Sequence, residues 1–330
     1  MCIRDSPPPI PTNGSPMLHS PWIDGGLAAL IGLLIGSFLN VVIYRTPGMM
    51  YRAWLDESLQ ALGEEPEATG TSLWRTVFGP GSAPPAGLAE GARQAQTRLD
   101  ALPRLSLSKP RSHCRACGHT VRWYENIPLL SYALLRGRCG HCGQAYGLRY
   151  PAVELLTGLL FLYCGWRWGI SPEGALWGLF CALLVALAFI DWDTTLLPDH
   201  LVQPLLWIGL IGSALGLTET PLPHALWGAI SGYLSLWLVC AVFQAVTGRQ
   251  GMGHGDFKLL AALGAWLGWQ ALVPIVLLSS VAGVLGGLAL HLSQGLRAGG
   301  YFPFGPFLVA AGLATLVLGP YLGTQALLIP

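Results

Sequence analysis

Residues 152–327 form a succession of apolar segments, and few architectures accept such a succession. The segments run 152–168, 174–190, 200–217, 223–246, 257–269, 271–292 and 302–327, with the least marked division at Gln270. Only Glu154, Glu173, Asp191, Asp193, Asp199, Glu219 and Asp256 bring acid into the chain beyond Tyr150. A soluble core cannot cover this much apolar surface, whereas helices in lipid satisfy their own backbone hydrogen bonds. Residues 25–44 add an eighth segment, which at about 1.5 Å per residue spans a hydrocarbon core of roughly 30 Å. Gly32, Gly36 and Ser37 lie on one side of it, where small residues let a second helix come close. The chain is 52% hydrophobic and 11% charged, against roughly 25% charged in soluble domains. These features specify an all-α polytopic membrane protein of about eight transmembrane helices.

Residues 47–150 break the pattern. They hold 12 of the 18 Lys and Arg residues and are too many for a bare loop. They read as a small domain on the cytoplasmic side, where basic loops stay. Within it, residues 51–103 are a variable stretch, expected to be partly helical and otherwise disordered because of runs such as Glu64-Glu65-Pro66-Glu67. Residues 1–20 have no apolar period and read as a disordered or non-native extension, with Met17 as an alternative initiator. The expected divisions are therefore 1–20, a first transmembrane helix over 21–46, the domain over 47–150, and a seven-helix membrane domain over 151–330. A net charge of +1 gives no footing for nucleic acid.

Two C-x-x-C-G knuckles, Cys114/Cys117 and Cys139/Cys142, stand 21 residues apart in the basic domain. On the reducing side of a membrane such spacing favours a zinc ribbon over disulfides. Four thiolates close a tetrahedral site and leave no open position, so the zinc is expected to be structural. His113, His119 and His141 read as solvated or supporting groups and not as ligands.

Two acidic motifs interrupt the membrane segments. Asp191 ends an apolar run, where an idle carboxylate is costly. Asp256 lies 65 residues later, behind Gly251, Gly253 and Gly255 and ahead of Lys258. Glycines at that density cost conformational entropy unless the backbone takes an unusual path or meets a ligand closely. Alternation from a cytoplasmic basic domain brings both motifs to the inner membrane face, where two carboxylates suit general acid–base chemistry. Helix polarity, with Asp191 at a C-terminus and Asp256 at an N-terminus, places a shared proton on Asp191. The remaining polar residues have plainer readings. Asp199 reads as an N-cap, Asp193 as a solvated loop residue, and Glu154 as snorkelling or ion-paired. Lys258 reads as interfacial, with a carboxylate or a lipid phosphate as the alternative partner, and Asn40 as an interhelical or a substrate contact. No H-E-x-x-H or G-x-S-x-G is present, so metalloprotease and serine-hydrolase readings have no motif.

These residues resemble the type IV prepilin peptidases, the leader peptidase/N-methyltransferases, which are membrane aspartic proteases of the G-x-G-D type. The resemblance rests on residues 36–45, the Pro110-to-Cys142 loop, Glu125-Asn126-Ile127-Pro128, Arg149-Tyr150-Pro151-Ala152-Val153-Glu154, Asp191 with Leu196-Leu197-Pro198-Asp199, and Gly253-His254-Gly255-Asp256. It implies that Asp191 and Asp256 are the catalytic pair, with Gly253, Gly255 and Lys258 in the catalytic loop. It implies an enzyme of the bacterial inner membrane, with its active site at the cytoplasmic face. Such an enzyme removes the basic leader of prepilins and pseudopilins in the lipid bilayer. It then methylates the new N-terminus with S-adenosylmethionine, whose site no motif locates. An ion-coupled transporter relaying protons through the same aspartates is the alternative from another class, and a non-enzymatic zinc-ribbon assembly factor is a third.

Overall fold

The computed structural model describes residues 20–63, 73–79, 82, 85–249, 251–292 and 302–319. Residues 1–19, 293–301 and 320–330 fall outside them, and with them the expectation of a disordered extension. Among the described residues the chain is all helical. The helices are α1 (Pro21–Gly63), α2 (Leu73–Phe78), α3 (Leu88–Ala101), α4 (Leu130–Leu134), α5 (Arg149–Trp168) and α6 (Pro172–Thr194), followed by α7 (Asp199–Ala214), α8 (Leu222–Thr247), α9 (His254–Leu267), α10 (Leu272–Leu292) and α11 (Gly305–Leu318). Two isolated β-bridges, His113 with Thr120 and Arg138 with Ala145, belong to the cysteine knuckles.

Helices cover all eight apolar segments. By length and composition four of them, α1, α6, α8 and α10, are long and apolar enough to cross a membrane, and α11 is a shorter apolar helix. Helices α7 and α9, at 16 and 14 residues, fall short of the roughly 20 residues of a simple crossing. Arg149, Glu154 and Arg167 put three charges on the 20 residues of α5. The weak division at Gln270 is real: Gly268 ends α9 with φ +80° and a 3₁₀ turn, Trp269–Ala271, leads into α10.

Close helix contacts are built on glycine. A methyl group at Gly32 would lie 2.5 Å from Phe161 Cβ, and one at Gly36 would lie 2.7 Å from Glu154 Cα, so α1 and α5 pack along each other as the small residues anticipate. Gly228 of α8 and Gly264 of α9 bring the two backbones into direct contact. The core gathers on α6 and α9, where Phe180, Leu184, Leu187, Ile190, Leu259, Leu260, Leu263 and Trp266 are fully buried. Trp266 donates its indole N–H to the Leu205 carbonyl at 2.7 Å. Leu277, Leu278, Val281, Val284 and Leu285 of α10 stay exposed, an apolar face suited to lipid and too large for water. At the end of the bundle remote from both acidic motifs, Arg167 pairs with Glu219 at 2.9 Å.

Helix α1 does not stop at residue 46. It runs through Pro47 to Gly63, 43 residues in all, or about 65 Å, so its second half projects well past a hydrocarbon core of roughly 30 Å. Proline removes one backbone N–H and leaves the turns on either side intact. The projecting arm is held by arginine on carbonyls. Buried Arg45 donates to Ser106 O at 2.7 Å and Pro110 O at 2.6 Å. Arg52 donates to Leu99 O, Leu102 O and Pro103 O at 2.7, 3.1 and 2.8 Å, satisfying carbonyls that the C-terminus of α3 leaves open. Gln96 of α3 hydrogen-bonds Asp56 of α1. Much of 51–103 is thus helix folded back along α1; residues 64–72, 80–81 and 83–84 are not among those described.

Candidate active site and metal centre

The two knuckles have the same backbone. Cys114 N–H donates to His119 O at 2.8 Å and Gly118 N–H to Cys114 O at 2.9 Å; Cys139 N–H donates to Gln144 O at 2.8 Å and Gly143 N–H to Cys139 O at 3.0 Å. Gly118 and Gly143 take φ +70° and +71°, the left-handed conformation that glycine adopts at least cost. The sulfurs of Cys114, Cys117, Cys139 and Cys142 all lie within 4.8 Å of one another. Tetrahedral zinc with Zn–S of about 2.3 Å requires S···S of about 3.8 Å, and Cys114 Sγ to Cys142 Sγ is 3.8 Å. Backbone N–H groups of Cys142 and His141 hold the Cys139 thiol down at about 6, which favours the thiolate a metal needs. The four-sulfur set fits a closed zinc site.

The histidines serve around this cluster. His119 and His141 stack at 5.2 Å between ring centroids, His119 Nε2 lies 3.4 Å from Glu125 Oε2, and His113 Nδ1 lies 2.9 Å from Arg111 O. Glu125 also accepts the Arg122 backbone N–H at 2.8 Å. That bond, with the smaller effect of His119, holds its carboxyl below the usual range against burial.

The acidic motifs meet where α6 ends and α9 begins. Asp191 is buried in the last turns of α6, 4% exposed, and Asp256 occupies the first turn of α9. The two carboxylates are within electrostatic reach of each other. Asp191 does not end its helix: α6 continues to Thr194, whose successor Thr195 closes it with φ +56°. Its Oδ2 accepts the backbone N–H of Gly305 at 3.0 Å, so the carboxylate faces the N-terminus of α11. The N-terminus of α11 therefore opposes the C-terminal turn of α6 at Asp191, so the polarity of α6 alone does not place the shared proton. Asp256 Oδ1 is buried with no hydrogen-bond partner among the described residues.

Gly305 was not visible as a site residue. A Cβ there would lie 2.6 Å from Asp191 Oδ2, so its lack of a side chain sets how close the carboxylate can come. Its signal is the Pro303-Phe304-Gly305-Pro306 run, a helix-start pattern that says nothing of what the helix caps.

The glycines around Asp256 behave differently from expectation. None of Gly251, Gly253 and Gly255 has positive φ. Gly253 has an ordinary extended conformation and open space where a Cβ would go. Gly255 is tightly approached by Leu197, at 2.9 Å, and Gly251 by the Phe243 ring, at 3.0 Å. Leu197 belongs to the segment after Asp191, and a second link joins the same two motifs: Lys258 Nζ donates to both carboxylate oxygens of Asp199 at 2.7 and 2.8 Å. Asp199 is the first residue of α7, not its N-cap, and Lys258 is ion-paired across motifs, not simply interfacial. Asp193 is likewise no loop residue; it sits in α6 and pairs with Arg149 at 2.6 Å. Asn40 makes the interhelical contact, donating to Gly36 O at 3.3 Å and to Tyr150 O at 3.1 Å. Glu154 is buried and accepts the Leu129 N–H at 2.9 Å.

Residues 30–168 match the model of the bacterial peptidase A24 N-terminal domain, and residues 178–288 that of the type IV leader peptidase family. The chain is 45% identical over 290 residues to the prepilin leader peptidase/N-methyltransferase of Pseudomonas aeruginosa, covering 88% of this chain and 89% of that one. The chain belongs to the type IV leader peptidase family. Leader peptidases bearing the same description in Burkholderia pseudomallei and Neisseria gonorrhoeae are 45% and 42% identical, over 88% and 87% of this chain and 84% and 87% of theirs. No solved structure matches it. The leader-peptidase match spans both acidic motifs, and the N-terminal match spans α1, the knuckles and α5.

Proposed function

We propose that the chain removes the basic leader of type IV prepilins and pseudopilins and methylates the N-terminus so exposed. The observation that carries the first step is the meeting of Asp191 and Asp256 at one end of the bundle. One carboxylate takes a proton from the attacking water while its neighbour delivers one to the scissile carbonyl. The Gly305 N–H fixes Asp191, and the Leu197–Gly255 contact and the Asp199–Lys258 pair fix the two motifs against each other. A substrate with a basic leader in the cytoplasm and an apolar helix in the bilayer presents its scissile bond at this level.

Placing residues 47–150 in the cytoplasm follows from their Lys and Arg content, and puts the dyad at the cytoplasmic face of the bacterial inner membrane. All eight apolar helices are membrane-embedded in this reading, the shorter α7 and α9 being shielded by their neighbours. Zinc held by Cys114, Cys117, Cys139 and Cys142 ties the two knuckles together and has no chemical role, because the four sulfurs fill its coordination. S-adenosylmethionine is the methyl donor. A transporter reading has less support, since the carboxylates lie at one end of the bundle and not midway.

The test is to incubate the purified chain with a full-length prepilin and methyl-labelled S-adenosylmethionine. A shortened product carrying label on its new terminus is expected. Label without shortening, or shortening that survives in Asp191→Ala, would falsify the assignment.

A further inference from the structure

A cleft away from the dyad lies between α1, the first turn of α5 and the cysteine loop, with about 200 Å³ of enclosed space and one side open to solvent. We infer that this cleft binds the methyl donor, S-adenosylmethionine, with Glu154 facing its cationic part and Tyr132 and Tyr146 flanking its base. The inference rests on the methyl-transfer reading above and adds the place where it occurs.

Three features point to that ligand. First, Glu154 lines the cleft at 9% exposure, hydrogen-bonded to the Leu129 N–H and the Ser37 hydroxyl. Among the described residues no Lys, Arg or His forms an ion pair with it. A buried carboxylate held by neutral donors alone is poorly compensated, and a sulfonium or ammonium group supplies the missing charge. Second, the aromatic wall is built into place. Tyr132 lies over Gly137, where a Cβ would come within 2.7 Å of the ring and its hydroxyl, and Gly137 has φ +66°. Tyrosine faces suit both a purine and a cation. Third, the cleft adjoins the dyad in the fold. Tyr150 and Glu154 on its wall follow Arg149, which pairs with Asp193 two residues beyond Asp191. That pair ties the first turn of α5, which carries the cleft wall, to the last turn of α6, which carries Asp191.

The chemistry balances without a further reactant. The amine lone pair forms the new N–C bond as the S–C bond breaks, sulfur keeps the bonding pair as a thioether, and the ammonium proton passes to solvent.

Ultraviolet cross-linking of tritiated S-adenosylmethionine to the purified full chain tests the site directly. Label is expected in peptides from residues 37–45 or 112–154, which line the cleft, and should be displaced by excess S-adenosylhomocysteine. Equilibrium dialysis should show Kd raised at least tenfold in Glu154→Gln, with zinc content and thermal transition unchanged. If that variant fails to fold, the wild-type map decides. Displaceable label confined to other peptides overturns the site and leaves methyl transfer standing. A wild-type chain that cuts prepilin yet binds no donor overturns methyl transfer and the site together.

Discussion

The apolar helix bundle and the arm formed within residues 47–150 are held together by different physics. In the bundle, apolar side chains interlock and glycines let backbones touch, as at Gly228 with Gly264 and Gly36 with Glu154; polar bonds between helices are single links such as Trp266 to Leu205 and Gly305 to Asp191. In the arm, very little apolar surface is buried, and order comes from four sulfurs, Glu125, and the guanidinium groups of Arg45 and Arg52 on backbone carbonyls. A bundle of this kind is defined by shape and tolerates changes of solution conditions. An arm of this kind is defined by charge and metal, and should respond to both. The aspartates belong to the bundle, and the cleft proposed for the methyl donor lies on the seam between the two.

The largest effect should come from the dyad. Asp191→Ala and Asp256→Ala are each expected to reduce prepilin cleavage by about 10⁴-fold, with the double variant hardly worse than either single one, because neither carboxylate can do both jobs. Additive losses would mean that the two act separately. Next comes the metal. The purified chain should contain one zinc, and Cys139→Ser should lose it and expose the knuckle loop to protease while leaving the bundle intact. Global unfolding on zinc removal would show that the two regions are one cooperative unit. The converse change is Gly228→Val, which inserts a side chain between touching backbones and should cost about 3 kcal/mol or more. It should lower the thermal transition of the bundle and leave zinc content unchanged.

The two regions also differed in how far their sequences could be read. The knuckles were legible because metal ligation fixes residue type, spacing and the following glycine at once. The apolar segments were legible because lipid imposes length and composition, although composition did not reveal that α7 and α9 are short. What could not be read was anything set by partners far away in sequence. Nothing near Pro47 announces that α1 continues, because what holds the continuation is α3 and the carbonyls gripped by Arg52. Nothing near Asp191 announces Gly305, 114 residues away, and helix polarity judged from α6 alone therefore pointed to the wrong neighbour. Gly251, Gly253 and Gly255 looked alike, yet Gly251 and Gly255 meet close neighbours, Phe243 and Leu197, and Gly253 meets none. The freedom left at Gly253 is not explained by any contact in the structure.

The arm should also show an acid-sensitive component. Glu125 has its carboxyl lowered by the Arg122 N–H, so its stabilising contribution is complete above the ordinary value of about 4.3. It is lost as pH falls through the lower folded value. Comparing wild type with Glu125→Gln, protection of the knuckle loop against hydrogen exchange should differ at neutral pH and converge only once the pH has fallen below the lowered value of Glu125. A difference that persists in acid would assign the effect to shape and not to charge.

The smallest expected effect separates a structural from a chemical role for Lys258. Its ion pair with Asp199 is short, but Asp199 is 62% exposed and Lys258 30% exposed on their side chains, and pairs so open to solvent are worth at most about 1 kcal/mol. Lys258→Met and Asp199→Asn should therefore each shift stability slightly. A double-mutant cycle should return a coupling of that size, because the pair latches α7 to α9 without being buried. Cleavage should fall in both variants to the same small extent, because in each the dyad is only less firmly held. A Lys258→Met variant that loses cleavage by a hundredfold or more while Asp199→Asn stays near wild type would require the ammonium group to act on the reaction itself. In that case the membrane site would contain a third charged participant beside the two aspartates.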